Sequence, residues 1–186
     1  LSADGSTLVY STFIGGGTDD IAEAIVGDIA GRMTVAGWTW SSDFPTAPGA
    51  FDPDLNGDDD AFVARLSADG SSLVYGTFLG GSQWDAARAL VEDDAGRVYV
   101  AGATYSSDFP STAGSFDPSF NRAGDAFVTC LSADGSSLVY STFLGGSAAD
   151  TAWAIGLSRA GQATIAGKTY SADFPTIPDA FATGLM

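Results

Sequence analysis

The sequence predicts an all-β fold built from tandem four-stranded antiparallel units. Three observations carry that reading. The chain repeats itself at a fixed interval, each copy holds runs of strand-forming residues, and each run ends in a turn marked by glycine. The string Leu-Ser-Ala-Asp-Gly-Ser opens at Leu1, Leu66 and Leu131, at intervals of 65 residues without slippage. Thr12-Phe13-Ile14-Gly15-Gly16 returns as Thr77-Phe78-Leu79-Gly80-Gly81 and as Thr142-Phe143-Leu144-Gly145-Gly146. Asp60-Ala61-Phe62-Val63 returns once, as Asp125-Ala126-Phe127-Val128. The copies define one domain, 1–186, made of units 1–65, 66–130 and 131–186, the last incomplete.

The second unit shows the elements in order. Asp85 to Leu90 has the composition of a short helix, but it is too short for its period to decide. It leads into Asp93-Asp94-Ala95-Gly96, a tight turn, and that hairpin context makes 86–92 a strand with 97–102 as its return. A long loop follows, Thr104 to Gly124, rich in proline and serine and carrying Phe109 and Phe116. Phe109 and its counterparts Phe44 and Phe174 are expected to plug the loop against the sheet. The run 125–131 is the third strand, and Ser132-Ala133-Asp134-Gly135 is its turn, with glycine where φ must be positive. The fourth strand, 137–144, places Leu138, Tyr140, Thr142 and Leu144 on one face.

Composition narrows the function. Hydrophobic residues make up 45%, enough to bury a core, so the 24 glycines serve turns and not disorder. The formal net charge is −16, with Lys168 the only lysine, which argues against nucleic acid and anionic lipid as partners. No histidine is present, which removes the Ser-His-Asp triad and the usual zinc sites. Cys130 is the only cysteine, so no disulfide forms within the chain, and a half-buried strand thiol is expected. No apolar run reaches the length of a membrane span, so no membrane insertion is expected. The start at Leu1, without a signal peptide, reads as a mature product or a fragment.

Candidate sites compete with plainer readings. Asp52, Asp54, Asn56 and Asp58 put oxygens at alternate positions around Gly57, like the first half of a Ca²⁺ loop. A full loop would need Glu where Val63 stands, and the second unit keeps only Asp117-Pro118-Ser119-Phe120-Asn121, so a solvated acidic loop is the competing reading. Apart from Ca²⁺, no cofactor is expected. Gly15-Gly16-Gly17 lacks the Lys-Ser/Thr of a phosphate loop and reads as a turn. Asp20, Asp85 and Asp150 recur once per unit, as turn-capping acids do. Acid/base chemistry would need two acids converging on one pocket, which the sequence does not show, so no catalytic residue is expected. Trp40 shares its column with Tyr105 and Tyr170 and is expected in the core. Trp38, Trp84 and Trp153 do not repeat, which suits a sugar-binding surface or a contact between chains. The abundant serine and threonine leave O-linked glycans open.

The residues taken together resemble a family. Asp-Ala-Phe-Val, then Leu-Ser-Ala-Asp-Gly-Ser-Ser-Leu-Val-Tyr-Ser-Thr-Phe-Leu-Gly-Gly, Gly-Arg-Val-Tyr-Val-Ala-Gly and Ser-x-Asp-Phe-Pro-Thr form a pattern that resembles the bacterial SBBP repeat over essentially the whole chain. The resemblance implies β-propeller-like four-stranded blades in a large secreted or cell-surface bacterial protein; it does not imply a catalytic activity. Propellers close with about four to eight blades, and this chain supplies three. Met186 aligns with Asn121, so the third copy stops before its third strand, and the fourth-strand copy after Leu1 has no third strand ahead of it. Open edges and faces invite pairing. The chain is therefore expected to be a non-enzymatic structural or assembly module: part of a longer propeller, half of a six-bladed ring, or the subunit of a head-to-tail filament. A propeller module that binds a glycan or Ca²⁺ is the alternative.

Overall fold

The computed structural model describes residues 1–184. Leu185 and Met186, which end the third unit, lie outside the described residues. The fold is all-β. Strands β1 (Asp20–Gly27), β2 (Met33–Thr39), β3 (Asp60–Leu66) and β4 (Leu73–Leu79) form one antiparallel sheet in chain order. Strands β5 (Asp85–Glu92), β6 (Val98–Thr104), β7 (Asp125–Leu131) and β8 (Leu138–Leu144) form a second sheet of the same order. Strands β9 (Asp150–Leu157) and β10 (Ala163–Thr169) pair as a two-stranded hairpin. The sheets stack with β1 against β5 and β5 against β9, and the described residues do not close into a ring. The ambiguous stretch from Asp85 is strand throughout.

Turn chemistry sets the hairpins. Between β7 and β8, Gly135 has φ +71, and its N–H donates to Ser132 O at 2.9 Å. Asp134 Oδ1 accepts from the hydroxyls of Ser132 (2.6 Å) and Ser136 (2.8 Å), which closes the turn from the side chains. One feature escapes any pattern of strict alternation. Each first strand carries an extra residue opposite its partner: Glu23 in β1, Arg88 in β5 and Trp153 in β9. The facing residue is always glycine. At Gly102 a Cβ would overlap the carbonyl oxygen of Ala86, so the two backbones meet at a distance only glycine permits.

The core lies between the sheets. Ala36, Ala61 and Val63 of the first sheet pack with Val98, Val100 and Phe127 of the second. Each long loop lays its plug on one face of its own sheet: for the first sheet this is the face with Val35 and Ala64, away from the second sheet, and for the second it is the face turned to the first. Phe44 stacks 4.4 Å from Phe62, and Phe109 stacks 4.5 Å from Phe127, so both plugs are buried as the sequence suggested. The loops also cover the outer edges. Phe78 N–H donates to Asp52 O and Phe143 N–H to Asp117 O, each within 3.0 Å, so β4 and β8 are hydrogen-bonded on both sides. Phe143 is buried, while Leu138, Tyr140, Thr142 and Leu144 on the opposite face of β8 are half-buried. Cys130 is fully buried, not half-buried, because it faces Tyr99 inside this stack.

Arg65 is the exception inside the core. It is the only basic residue of β3, at the position Cys130 takes in the second sheet. Its guanidinium donates to Thr34 Oγ1 (2.8 Å), Glu92 Oε2 (2.5 Å), Ala133 O (3.1 Å) and Gly96 O (3.3 Å), and lies over the Tyr75 ring. One side chain thus ties β2, β5 and two turns of the second sheet to β3.

Candidate functional site

Residues 8–14 repeat the sequence of β4 and β8, yet they form no strand, because among the described residues no third strand lies beside them to pair with. Tyr10 rests on Gly70 as Tyr75 rests on Gly135, so the segment occupies the place of a fourth strand. Phe13 is 102% exposed, whereas its counterparts Phe78 and Phe143 are 0% and 1% exposed. Between this segment and the first sheet runs an apolar groove of about 440 Å³, lined by Tyr10, Ile14, Ala22, Ile25, Met33 and Val35. The matching space at the next junction is filled by Ala36, Ala61 and Val63.

The other end of the stack is open as well. β10 pairs only with β9, and most of its residues are exposed, whereas every residue of β6 is buried. Phe174 takes the place of the plugs Phe44 and Phe109 but has no third-strand phenylalanine to stack on, and it borders a cavity of about 220 Å³ with Leu144, Ala152 and Ile165. Among the described residues, then, the outer edges of the complete sheets are covered, while the edge of β10 and the face of β1 are not.

The aromatic column expected in the core is on the surface instead. Trp40, Tyr105 and Tyr170 are 42%, 47% and 60% exposed. They lie just past the ends of β2, β6 and β10, where the chain leaves the sheet for the loop and no neighbouring sheet covers it. Trp38 packs edge-on against Trp40 at 5.0 Å, and Trp84 against Tyr105 at 5.6 Å. Glu23 accepts from Trp38 Nε1 and pairs with Arg88, whose guanidinium lies over Trp84. The bulges thus link Trp38 and Trp84 across two sheets, and Trp153, 57% exposed, stands at the third bulge. Two of the three tryptophans singled out by the sequence are joined in one network, a link visible only once Glu23 and Arg88 are placed.

The acidic loop folds on itself. Asn56 Nδ2 donates to Asp52 Oδ2 at 2.5 Å, Asp54 N–H to Asp52 Oδ1 at 3.1 Å, and Asn56 N–H to Asp60 Oδ2 at 2.8 Å. Asp54 and Asp58 are exposed. Among the described residues no three Asp, Glu or Cys side chains gather as a metal ion would require.

The recurrent acids do cap turns: Gly16, Gly81 and Gly146 donate their N–H to Asp20, Asp85 and Asp150 within 2.8 Å. Sequence reasoning missed that Asp85 and Asp150 meet Asp60 and Asp125, each of them fully or nearly fully buried. Burial pushes Asp60 up to about 7, with Asp85, Asp52 and Asp59 adding to the rise against an opposing hydrogen bond from Asn56. Burial likewise raises Asp85 and Asp125 to about 6. The signal was present, since an acid opens the same apolar strands in successive copies. No family model matches the chain, and no curated protein matches it.

Proposed function

We propose that this chain is a non-enzymatic assembly module whose copies associate head to tail, the β9–β10 hairpin of one packing into the N-terminal groove of the next. The carrying observation is the pair of unlike, complementary ends: an unpaired segment with fully exposed Phe13 beside a groove, and a hairpin with an open edge. The groove is the space that the preceding sheet fills at the internal junction, so a hairpin of the same kind suits it. Such a contact is heterologous, and it yields open chains unless the rotation between copies closes a ring. On this reading the sheets are propeller-type blades, three units of one SBBP-like repeat, and the setting is a bacterial cell surface or its exterior. Phe13→Asp and Ile25→Asp should each lower the mass seen by light scattering without lowering the melting temperature. Unchanged assembly in both variants would count against the groove as the contact.

A second reading rests on the exposed aromatics. Trp40, Tyr105 and Tyr170 recur at one place per unit and are partly exposed, and the Trp38–Trp40 and Trp84–Tyr105 pairs are joined through Glu23 and Arg88, a chemistry suited to sugar rings. A glycan array with Trp40→Ala and Tyr105→Ala as controls tests it. Signals equal in the variants and the parent would end it.

A further inference from the structure

The loop after β10 folds like the loops after β2 and β6. Phe174 N–H donates to Ser171 O (3.2 Å), as Phe44 N–H does to Ser41 O and Phe109 N–H to Ser106 O. Ala180 N–H donates to Ile177 O (3.0 Å), as Ala50 N–H does to Ala47 O and Ser115 N–H to Thr112 O. In the first two loops this shape clamps a fourth strand along its outer edge. Ala47 N–H donates to Gly76 O of β4 (3.2 Å), and Thr112 N–H to Ser141 O of β8 (3.0 Å). Further along, Asp52 O accepts from Phe78 N–H (2.9 Å) and Asp117 O from Phe143 N–H (3.0 Å). Asp52 N–H and Asp117 N–H donate in turn to Thr77 Oγ1 (2.9 Å) and Thr142 Oγ1 (2.8 Å). The plugs complete each clamp, with Phe44 edge-on at 5.9 Å from Phe78 and Phe109 at 6.0 Å from Phe143.

The first and third units hold the two halves of one more such contact. Among the described residues no fourth strand lies under the third loop, and Ile177 N–H has no backbone partner. Residues 8–14 are a fourth-strand copy, in which Ser11, Thr12 and Phe13 stand where Ser141, Thr142 and Phe143 do. Among the described residues Ser11 O accepts no backbone hydrogen bond and Phe13 N–H donates none. The loop side of the clamp uses main-chain groups, so Ile177 and Ala182 can stand where Ala47 and Asp52 do in the first loop. One chain cannot join its own halves. β1 packs on β5 and β5 on β9, which puts the first and third units at opposite ends of an open stack.

We propose that the loop after β10 clamps residues 8–14 of a second copy, with Phe13 packed on Phe174, Ile177 N–H donating to Ser11 O and Phe13 N–H donating to Ala182 O. The proposal rests on the head-to-tail reading and names the contact that fastens it. The hairpin fills the groove, and the loop beyond it closes over the segment on the groove's rim. A second copy is the occupant because it carries the fourth-strand sequence that both internal clamps hold. The contact also continues the stack in the direction that the internal junctions already set, and it is heterologous, as head-to-tail growth requires. Phe13, fully exposed in one chain, becomes enclosed as Phe78 and Phe143 are.

Cross-linking between copies tests the proposal. Residues joined by a main-chain hydrogen bond stand close enough for a disulfide. Chains with Ser11→Cys and chains with Ile177→Cys, both at exposed positions, are mixed and oxidised. Cys130 is buried and takes no part. The mixture should give a disulfide dimer. Ala30→Cys, exposed in the turn between β1 and β2, should give none when it replaces Ser11→Cys. Equal dimer from both mixtures overturns the clamp. In the unsubstituted chain, amide exchange at Phe13 and Ile177 should slow about tenfold where about nine in ten chains are assembled. This measurement decides the matter if a cysteine variant does not fold or no disulfide forms. Assembly seen by light scattering, with neither amide slowed, overturns the clamp and leaves head-to-tail association through the groove standing. A chain that stays single at every concentration overturns both.

Discussion

Replacing Arg65 by methionine keeps most of the volume in the core and removes the charge. Arg65 is fully buried, and its partner Glu92 has a side chain only 6% exposed, so the variant strands a carboxylate in the interior. Breaking one partner of a buried pair costs about 3–5 kcal/mol. For a chain of this size each kcal/mol moves the melting temperature by roughly 2–4 °C, so a fall of about 6–20 °C is expected at pH 7. Burial already pushes Glu92 above the ordinary range in spite of Arg65. Without the arginine, Glu92 should take up a proton, and the variant should regain stability on acidification. The double variant Arg65→Met/Glu92→Leu removes both charges and should recover most of the loss. Thermal unfolding followed by circular dichroism measures all three. A shift under about 2 °C in the single variant, or no recovery in the double, would refute the view that this ion pair locks the two sheets together.

Other expectations follow from single contacts. Phe127→Ala removes a fully buried ring that stacks on the plug Phe109 and should cost about 3–5 kcal/mol in urea unfolding. Phe13→Ala, at the counterpart of the buried Phe78 and Phe143, should leave stability unchanged because the ring is fully exposed. Gly102→Ala should destabilise by about 1–3 kcal/mol, since the added methyl overlaps the Ala86 carbonyl and the strands must part; an unchanged urea midpoint would show that the bulge relaxes freely. Hydroxyl and amide hydrogen bonds from Ser67 and Ser71 hold Asp69 down at about 2, and Ser132 and Ser136 do the same for Asp134. A lowered carboxyl stabilises the fold above its unfolded value and loses that effect as pH falls through the folded one. The Asp69→Asn/Asp134→Asn variant should therefore lose less stability than the parent between about pH 4 and pH 2.

Much of the fold was legible because the repeat supplies several views of one pattern. The turn glycines, the hairpin order and the plugs Phe44 and Phe109 all follow from local chemistry that recurs every 65 residues. What was not legible depends on neighbours that sequence order hides. Trp40 looked like core because a repeated aromatic usually packs, but its column lies past the strand ends, where no sheet covers it. Residues 8–14 have strand composition and form no strand, since a ladder needs a partner. Glu23 and Arg88 meet because two bulges line up across a stack, and no linear pattern marks a bulge. Arg65 was detectable as the single charge between Phe62 and Leu66, although its partners lie as far off as Ala133.

Head-to-tail association is tested most directly by light scattering of the purified chain across a concentration series, with negative-stain electron microscopy of the same samples. The expected result is a mass that climbs with concentration above the 18.9 kDa of one chain, with open strings of particles on the grid. A single species at 18.9 kDa at every concentration, seen as lone particles, would contradict it.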